Sequence, residues 1–74
     1  MMGEMLIVTT NEIAGKKIVK TLGLVEARCS YFVRDEEKSA RENLEKKARE
    51  MGANAIVGYN YYKMKARGTA VIIE

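Results

Sequence analysis

The pattern of apolar and polar positions predicts short β-strands on both sides of a single helix. An apolar run with β-branched residues at Met5–Thr10 predicts the first strand. Asn11 and Gly15 then indicate a turn, and residues 17–32 form a longer strand candidate. The odd positions of this candidate, from 19 to 31, are small or apolar, whereas its even positions mix charged residues with leucines. This alternation predicts one dry face on the second strand.

The stretch that follows Asp35 predicts the helix. Asp35 is a suitable N-cap, Glu36 and Glu37 favour the positive end of the helix dipole, and Gly52 stands where a C′ glycine ends a helix. The apolar positions form a narrow stripe of mostly small side chains: Ala40, Leu44, Ala48 and Met51. Such a stripe can lie close against one face of a sheet.

The chain after Gly52 predicts two further strands. Val57, Tyr59 and Tyr61 share one predicted strand face, and from Tyr62 onward the alternation changes phase. Because a strand cannot change phase without a turn or a bulge, we place a tight hairpin near Asn60–Tyr62. The order of elements is β-β-α-β-β, or β-α-β-β if the first two strands act as one bent unit. This order predicts a single two-layer α+β domain over residues 1–74, with one helix on an antiparallel sheet.

One helix is too narrow to cover this sheet. A four-stranded sheet is roughly 15–20 Å wide and a helix about 10 Å across. Met5–Val8, Ala55–Val57 and Ala70–Ile73 are apolar on both alternating faces, so both faces need a cover. We therefore expect a homo-oligomer whose interface uses the second sheet face and the tyrosine strand, with Tyr59, Tyr61 and Tyr62.

Composition limits the chemistry. The chain has 74 residues, a single cysteine and no histidine, which excludes an intrachain disulfide and a Cys/His zinc site built by one chain. The net charge of +3 is only mildly basic. With no secretory signal and no apolar run of spanning length, we expect a cytoplasmic protein. The lack of Gln, His, Trp and Pro beside abundant Lys and Glu is typical of a thermophilic source.

Cys29 is the one soft ligand in the sequence. On the dry face of its strand it can act simply as a small hydrophobe that fills space. In an oligomer, however, several copies of Cys29 can meet and form a site for Zn²⁺, Cu(I) or another thiophilic ion. Redox chemistry at the thiol is a third reading.

The tyrosines and the cations beside them also have two readings each. Tyr59, Tyr61 and Tyr62 suit interface packing, whereas stacking on a base or a flavin is the alternative. The cations alternate along one predicted strand face: Lys63, Lys65 and Arg67. They suit a solvated edge strand that is protected from aggregation, or else a surface that binds anions or nucleic acid.

The remaining polar clusters have ordinary structural explanations. Residues 35–37 could ligate a hard metal, but acidic residues are common at the start of a helix. Thr9, Thr10 and Asn11 are turn formers. Without histidine no Ser-His or Cys-His dyad can form, and no pair of acid–base residues is singled out. We therefore predict no catalytic residues and no enzymatic activity.

Three segments, in order, are spread along nearly the whole chain: IVTTNEIAGKKIVKTLGLVEA, ARENLEKKAREMGANAIVGYNYY and GTAVIIE. The combination of GANAIVG after the helix with GTAV near the end resembles the YbjQ-like family of small proteins. The resemblance implies a dodecin-like β-α-β-β subunit that assembles into a ring, usually a homopentamer. It also implies the family's label of heavy-metal binding, with no agreed enzymatic activity.

The chain departs from this family in one segment. Longer members insert a glycine-rich stretch between the second strand and the helix, where this chain has only SYFVRDEE. Any family site built on that insert is absent here, which leaves Cys29 as the candidate for metal binding.

Overall fold

A computed structural model describes residues 5–30 and 34–74 of the chain. Its elements are β1 (Leu6–Ile7), β2 (Ile18–Arg28), α1 (Glu36–Glu50), β3 (Ala55–Tyr62) and β4 (Lys65–Ile73). The strands form one sheet in the order β1-β3-β4-β2, and α1 packs mainly on β2 and β4. The prediction of an α+β fold with one helix on a four-stranded sheet is confirmed. We call the sheet face under α1 the inner face and the opposite face the outer face.

The sheet is mixed, so the prediction of an antiparallel sheet is wrong at β1. β2 and β3 each pair with β4 in the antiparallel sense, whereas β1 runs parallel to β3. β1 and β2 lie at opposite edges of the sheet. They are therefore two separate strands, and the segment between them has to cross the sheet.

The helix begins and ends where the sequence predicts. The Asp35 carboxylate accepts a hydrogen bond from the backbone N–H of Lys38 at 3.0 Å, and Gly52 follows the helix with a φ of +94°. Ala40, Leu44 and Ala48 are fully buried. Together with small inner-face residues of the strands, namely Ala27, Ala66 and Ala70, they form one core in which only Leu44 of the three helix residues is large. The helix and the sheet can therefore approach each other closely.

A bulge in β3 changes the face of the strand before the hairpin is reached. Gly58 has a φ of +64°, and the register between β3 and β4 shifts between Val57 and Asn60. Val57 therefore packs on the outer face, whereas Tyr59 and Tyr61 pack on the inner face. The prediction that these three residues share a face is wrong.

The hairpin itself lies later than predicted. Lys63 and Met64 have φ values of +50° and +66°, and Tyr62 pairs with Lys65 across the turn. Two successive residues with positive φ are typical of a type I′ turn, whose twist matches that of the flanking strands. A tight hairpin is thus present, as predicted, but its turn lies just beyond the predicted place near Asn60–Tyr62. It moves the inner-face positions from odd numbers, as at Tyr61, to even numbers, as at Ala66, which is the phase change that the sequence shows.

Two register shifts also interrupt the predicted dry face of β2. They lie between Ile18 and Lys20 and between Thr21 and Gly23. The pairing partners of Ile18, Thr21 and Leu24 are Ile73, Val71 and Thr69, which all belong to the outer face. The alternation holds as predicted in the last part of the strand, where Val25, Ala27 and Cys29 pack toward the helix. Tyr31, the last predicted position, lies outside the described residues.

The chain itself covers part of the outer face. Ile13, from the segment between β1 and β2, is buried against Ala55, Val57 and Val71. The start of this segment is held to β3 by backbone hydrogen bonds, including one of 2.7 Å from the N–H of Gly58 to the carbonyl of Thr10. A second copy is thus not needed to cover these residues, contrary to the sequence-based argument. Leu24, also on the outer face, remains 84% exposed.

No helix within residues 5–30 and 34–74 has the length and apolar character that crossing a membrane requires.

Two motif residues, Asn54 in GANAIVG and Gly68 in GTAV, have clear structural roles. The Asn54 side-chain amide donates to the carbonyl of Ile73 at 2.9 Å and accepts from the N–H of Ile73 at 2.8 Å. This residue therefore continues the pairing of β3 with the end of β4. Gly68 is buried, and a Cβ at that position would collide with Cγ2 of Ile56 and lie 3.2 Å from the carbonyl oxygen of Val57. The glycine makes room for the Ile56 side chain on the inner face.

We expect Gly68→Ala to destabilise the fold by about 1–3 kcal/mol, because the added methyl overpacks a filled part of the core. In an Ile56→Ala background, the same change should cost much less, since the colliding Cγ2 is absent. Denaturant unfolding of the four proteins in this cycle measures the coupling. Equal costs of Gly68→Ala in both backgrounds would show that the collision with Ile56 does not matter.

Candidate functional site

One cluster of reactive side chains lies at the end of the sheet where β2 stops and α1 begins. Cys29 directly follows β2, and the Asp35 cap places Glu36 and Glu37 in the first turn of α1. The bulge at Gly58 turns Tyr59 and Tyr61 toward the same side. The cluster is therefore built from three elements that are distant in sequence, and we call it the thiol cluster: Cys29, Glu36, Glu37, Tyr59 and Tyr61.

Cys29 and Glu36 form the closest polar pair around the thiol. Cys29 is half-buried against the inner-face core, and its Sγ donates to Oε2 of Glu36 at 3.9 Å. The thiol therefore fills space, as one reading of the sequence had it, while it remains partly open to solvent. A soft sulfur and a hard carboxylate oxygen are thus next to each other on one chain.

Tyr59 is held by the second carboxylate. Its hydroxyl donates to Oε2 of Glu37 at 3.4 Å. Desolvation raises the pKa of Tyr59, and the negative charge of Glu37 and this hydrogen bond raise it further, whereas Arg41 acts in the opposite direction. The Tyr59 phenol is therefore kept neutral as a hydrogen-bond donor.

Tyr61 shares this environment, but Tyr62 does not. The pKa of Tyr61 is raised first by desolvation and then by the nearby charges of Glu36 and Cys29. Tyr62 pairs with Lys65 on the outer face and is 59% exposed. The three tyrosines that the sequence grouped as one interface are thus divided between two faces of the sheet.

One chain does not complete a metal site in the described residues. Among residues 5–30 and 34–74, no three His, Cys, Asp or Glu side chains are grouped closely enough to hold a metal ion. Asp35 serves as the helix cap, in agreement with the structural reading of residues 35–37. The thiol cluster therefore offers one sulfur and one oxygen ligand, and further ligands would have to come from elsewhere.

The predicted row of cations is only partly a strand face. Lys65 and Arg67 lie on the outer face of β4, but Lys63 is in the hairpin turn, where its Nζ lies 5.4 Å from the centre of the Tyr62 ring. Nζ of Lys65 lies 3.7 Å from Oε1 of Glu26 on the neighbouring strand. The alternation predicted for the three cations is thus wrong at Lys63, because the turn occupies that position.

Two relations within these sites are not predicted from the sequence. The sequence suggests Glu36 as a helix-start residue or a hard-metal ligand, and the structure places it beside Cys29. Arg28 pairs directly with Lys65 and adds a further cation to the outer face. Both relations depend on how strands and helix meet, so no local pattern in the sequence could have indicated them.

We expect Glu37→Gln to lower the pKa of Tyr59 toward its ordinary value of about 10, because the negative charge beside the phenol is removed. The matched control is Glu42→Gln, which changes an exposed carboxylate elsewhere on the helix. Alkaline titration of phenolate absorbance measures the effect, and the difference from Tyr59→Phe assigns the signal.

The same interaction predicts a pH dependence of stability. A raised folded-state pKa means that the unfolded chain loses its phenolic proton first. The contribution of Tyr59 to the free energy of unfolding is therefore present below pH about 10 and is lost as the pH rises through the pKa of Tyr59 in the folded protein. Identical titration curves for wild type and Glu37→Gln would contradict this account of Tyr59.

The comparison with known proteins supports the resemblance that the motifs indicated. No family profile matches the chain. A UPF0145 protein of Bacillus licheniformis is 31% identical over 94 aligned positions, which cover 93% of this chain and 91% of the relative. The alignment is longer than the 74 residues of this chain, so the relative contains residues that this chain lacks. The relative's name states no activity or ligand. On this similarity the chain belongs to the UPF0145 family, which is the YbjQ-like family.

Proposed function

We propose that this protein is a homo-oligomer that binds a thiophilic metal ion between its subunits, with Cys29 and Glu36 as the ligands from each copy. The observation that carries the proposal is the 3.9 Å approach of the Cys29 thiol to the Glu36 carboxylate. It pairs the single thiol of the sequence with a negatively charged oxygen ligand.

Several properties of the thiol cluster support metal binding. Cys29 is partly exposed, so an ion can reach the sulfur. The thiolate is the form that binds a metal, and proton release from Cys29 would accompany binding. Tyr61, whose pKa is raised in part by Cys29 and Glu36, provides a neutral phenol near both ligands.

The need for several copies follows from ligand number. Structural sites for Zn²⁺ use four ligands, whereas the described part of one chain brings together only two. A symmetric assembly multiplies each ligand by the number of subunits that meet at the site. Two copies would supply two thiolates and two carboxylates.

We take this role to be binding rather than catalysis. With no histidine in the chain, the usual activating base for a cysteine nucleophile is missing. The phenols of the thiol cluster have raised pKa values, so even less phenolate is present to act as a base near neutral pH than for an unperturbed tyrosine.

Equilibrium dialysis of the reduced protein against Zn²⁺, Cd²⁺ or Cu(I) tests the proposal. We expect saturable uptake by wild type, loss of that uptake in Cys29→Ser, and at least about tenfold weaker binding in Glu36→Gln, because one charged ligand is lost. Glu42→Gln, an exposed helix carboxylate away from the thiol, is the matched control and should bind like wild type.

Two outcomes would contradict metal binding at Cys29. One is equal uptake by wild type and Cys29→Ser, and the other is no uptake by wild type. Thermal unfolding of each variant without metal confirms that the comparison is made between folded proteins.

The rival proposal is binding of a polyanion, such as single-stranded nucleic acid, on the outer face. The pairing of Arg28 with Lys65 favours it, because like charges directly opposite each other across two strands are unfavourable without a counter-ion. Arg67, the exposed Tyr62 ring and Lys63 extend this surface. Glu26, which lies beside Lys65, weakens it.

Binding of a fluorescent single-stranded oligonucleotide at several salt concentrations tests the rival. If it holds, affinity falls as salt rises, and Arg28→Ala or Arg67→Ala reduces the salt slope by roughly one ion each. Lys16→Ala, which removes a cation from the segment that precedes β2, is the control. No binding at low salt would contradict this function.

A further inference from the structure

The longest strand of the protein lies at an edge of its sheet. β2 has 11 residues and hydrogen-bonds to β4 on one side, with no strand among the described residues on the other. An edge strand offers unpaired backbone N–H and C=O groups to any strand that lies beside it. The other edge is formed by β1, which has only two residues.

Helix α1 closes the second half of the β2 edge. Nζ of Lys47 donates to the carbonyl of Glu26 at 2.8 Å, and Nδ2 of Asn43 donates to the carbonyl of Arg28 at 2.8 Å. Just beyond the strand, Oγ of Ser39 accepts from the N–H of Ser30 at 2.9 Å. Three helix side chains thus hydrogen-bond backbone groups that a pairing strand would need.

The first half of the edge, residues 18–24, is open. Among the hydrogen bonds of the described residues, none joins a side chain to the backbone of this segment. On the outer face, this segment carries Ile18, Thr21 and Leu24. Neighbouring members of this set are three residues apart rather than two, because one register shift of β2 lies between each pair. Leu24 is 84% exposed, more than any other large apolar side chain described.

We propose that residues 18–24 of β2 pair antiparallel with the same segment of a second copy, about a two-fold axis that passes through Thr21. Thr21 is the midpoint of the open segment, and it lies equally far from Ile18 and Leu24. The axis therefore puts Ile18 of each copy opposite Leu24 of the other, on the same face of a continuous eight-stranded sheet. Leu24 then gains an apolar neighbour in both copies.

The register shifts of β2 agree with this axis. A bulge normally disfavours edge pairing, because one strand gains a residue that its partner lacks. Here the irregular interval from Ile18 to Thr21 lies opposite the partner's interval from Thr21 to Leu24, which is also irregular. Each interval holds one residue more than the part of β4 that it pairs with, so the two intervals match in length and the register is kept across the pair. This self-complementarity is the reason to assign the place to a second copy rather than to an unrelated peptide.

This pairing has a consequence for the subunit number. A two-fold contact uses the same surface on both copies, so every subunit has one β2 partner and the total is even. Two five-membered rings joined through β2 satisfy this condition, whereas a single five-membered ring does not.

Disulfide formation across the axis tests the pairing. In a Cys29→Ser background, Thr21→Cys places its thiol opposite the same thiol of the partner. Mild oxidation with diamide at low micromolar protein should give a cross-linked dimer at least about tenfold faster than for Leu24→Cys, because pairing raises the local thiol concentration to the millimolar range. The two Leu24→Cys positions would be roughly 15–20 Å apart along the strands, too far for a disulfide.

A mixture of two variants gives an independent check. Ile18→Cys and Leu24→Cys proteins, both in the Cys29→Ser background, should cross-link when mixed and cross-link poorly when separate. Folded Thr21→Cys protein that cross-links no faster than Leu24→Cys would overturn the proposal. Since these proteins lack Cys29, the result is independent of metal binding there, and either proposal can fail without the other.

Discussion

A sheet with two apolar faces and one helix to cover them is the constraint on which the other features of this protein depend. The helix covers the inner face over β2 and β4 with three fully buried residues, Ala40, Leu44 and Ala48. On the outer face, Ile13 closes a smaller core. Crossing the sheet with the segment that carries Ile13 also places β1 and β2 at opposite edges. Among the described residues, the most exposed large apolar side chains are Leu24 of the edge strand β2 and Tyr62 of β3.

The motifs that indicate the family are explained by the fold. Gly52 ends the helix, Gly58 forms the bulge and Gly68 makes room for Ile56, while Asn54 extends the pairing of β3 with β4. None of these roles requires a ligand. Family membership therefore accounts for the architecture, and the proposed metal ligands, Cys29 and Glu36, lie outside these motifs.

Local signals in the sequence predicted the elements well, and the faces of the strands less well. The helix depends on an N-cap residue, a stripe of apolar side chains and a glycine after its last turn. These are all close in sequence, so the bounds of the helix could be predicted. Strand faces depend on bulges, and a glycine such as Gly58 inside a strand pattern is compatible with either a bulge or a regular strand. The wrong grouping of Val57 with Tyr59 follows from that one ambiguity. The proximity of Cys29 and Glu36 is tertiary and has no local signature.

Metal binding between copies and the pairing of β2 both require that the protein forms an oligomer rather than remaining a single chain. Sedimentation velocity of the metal-free wild-type protein, from nanomolar to high micromolar concentration, tests this claim most directly. The account predicts a species of at least twice the chain mass of 8.3 kDa that dissociates only on dilution. A particle of 8.3 kDa throughout the concentration range would contradict it.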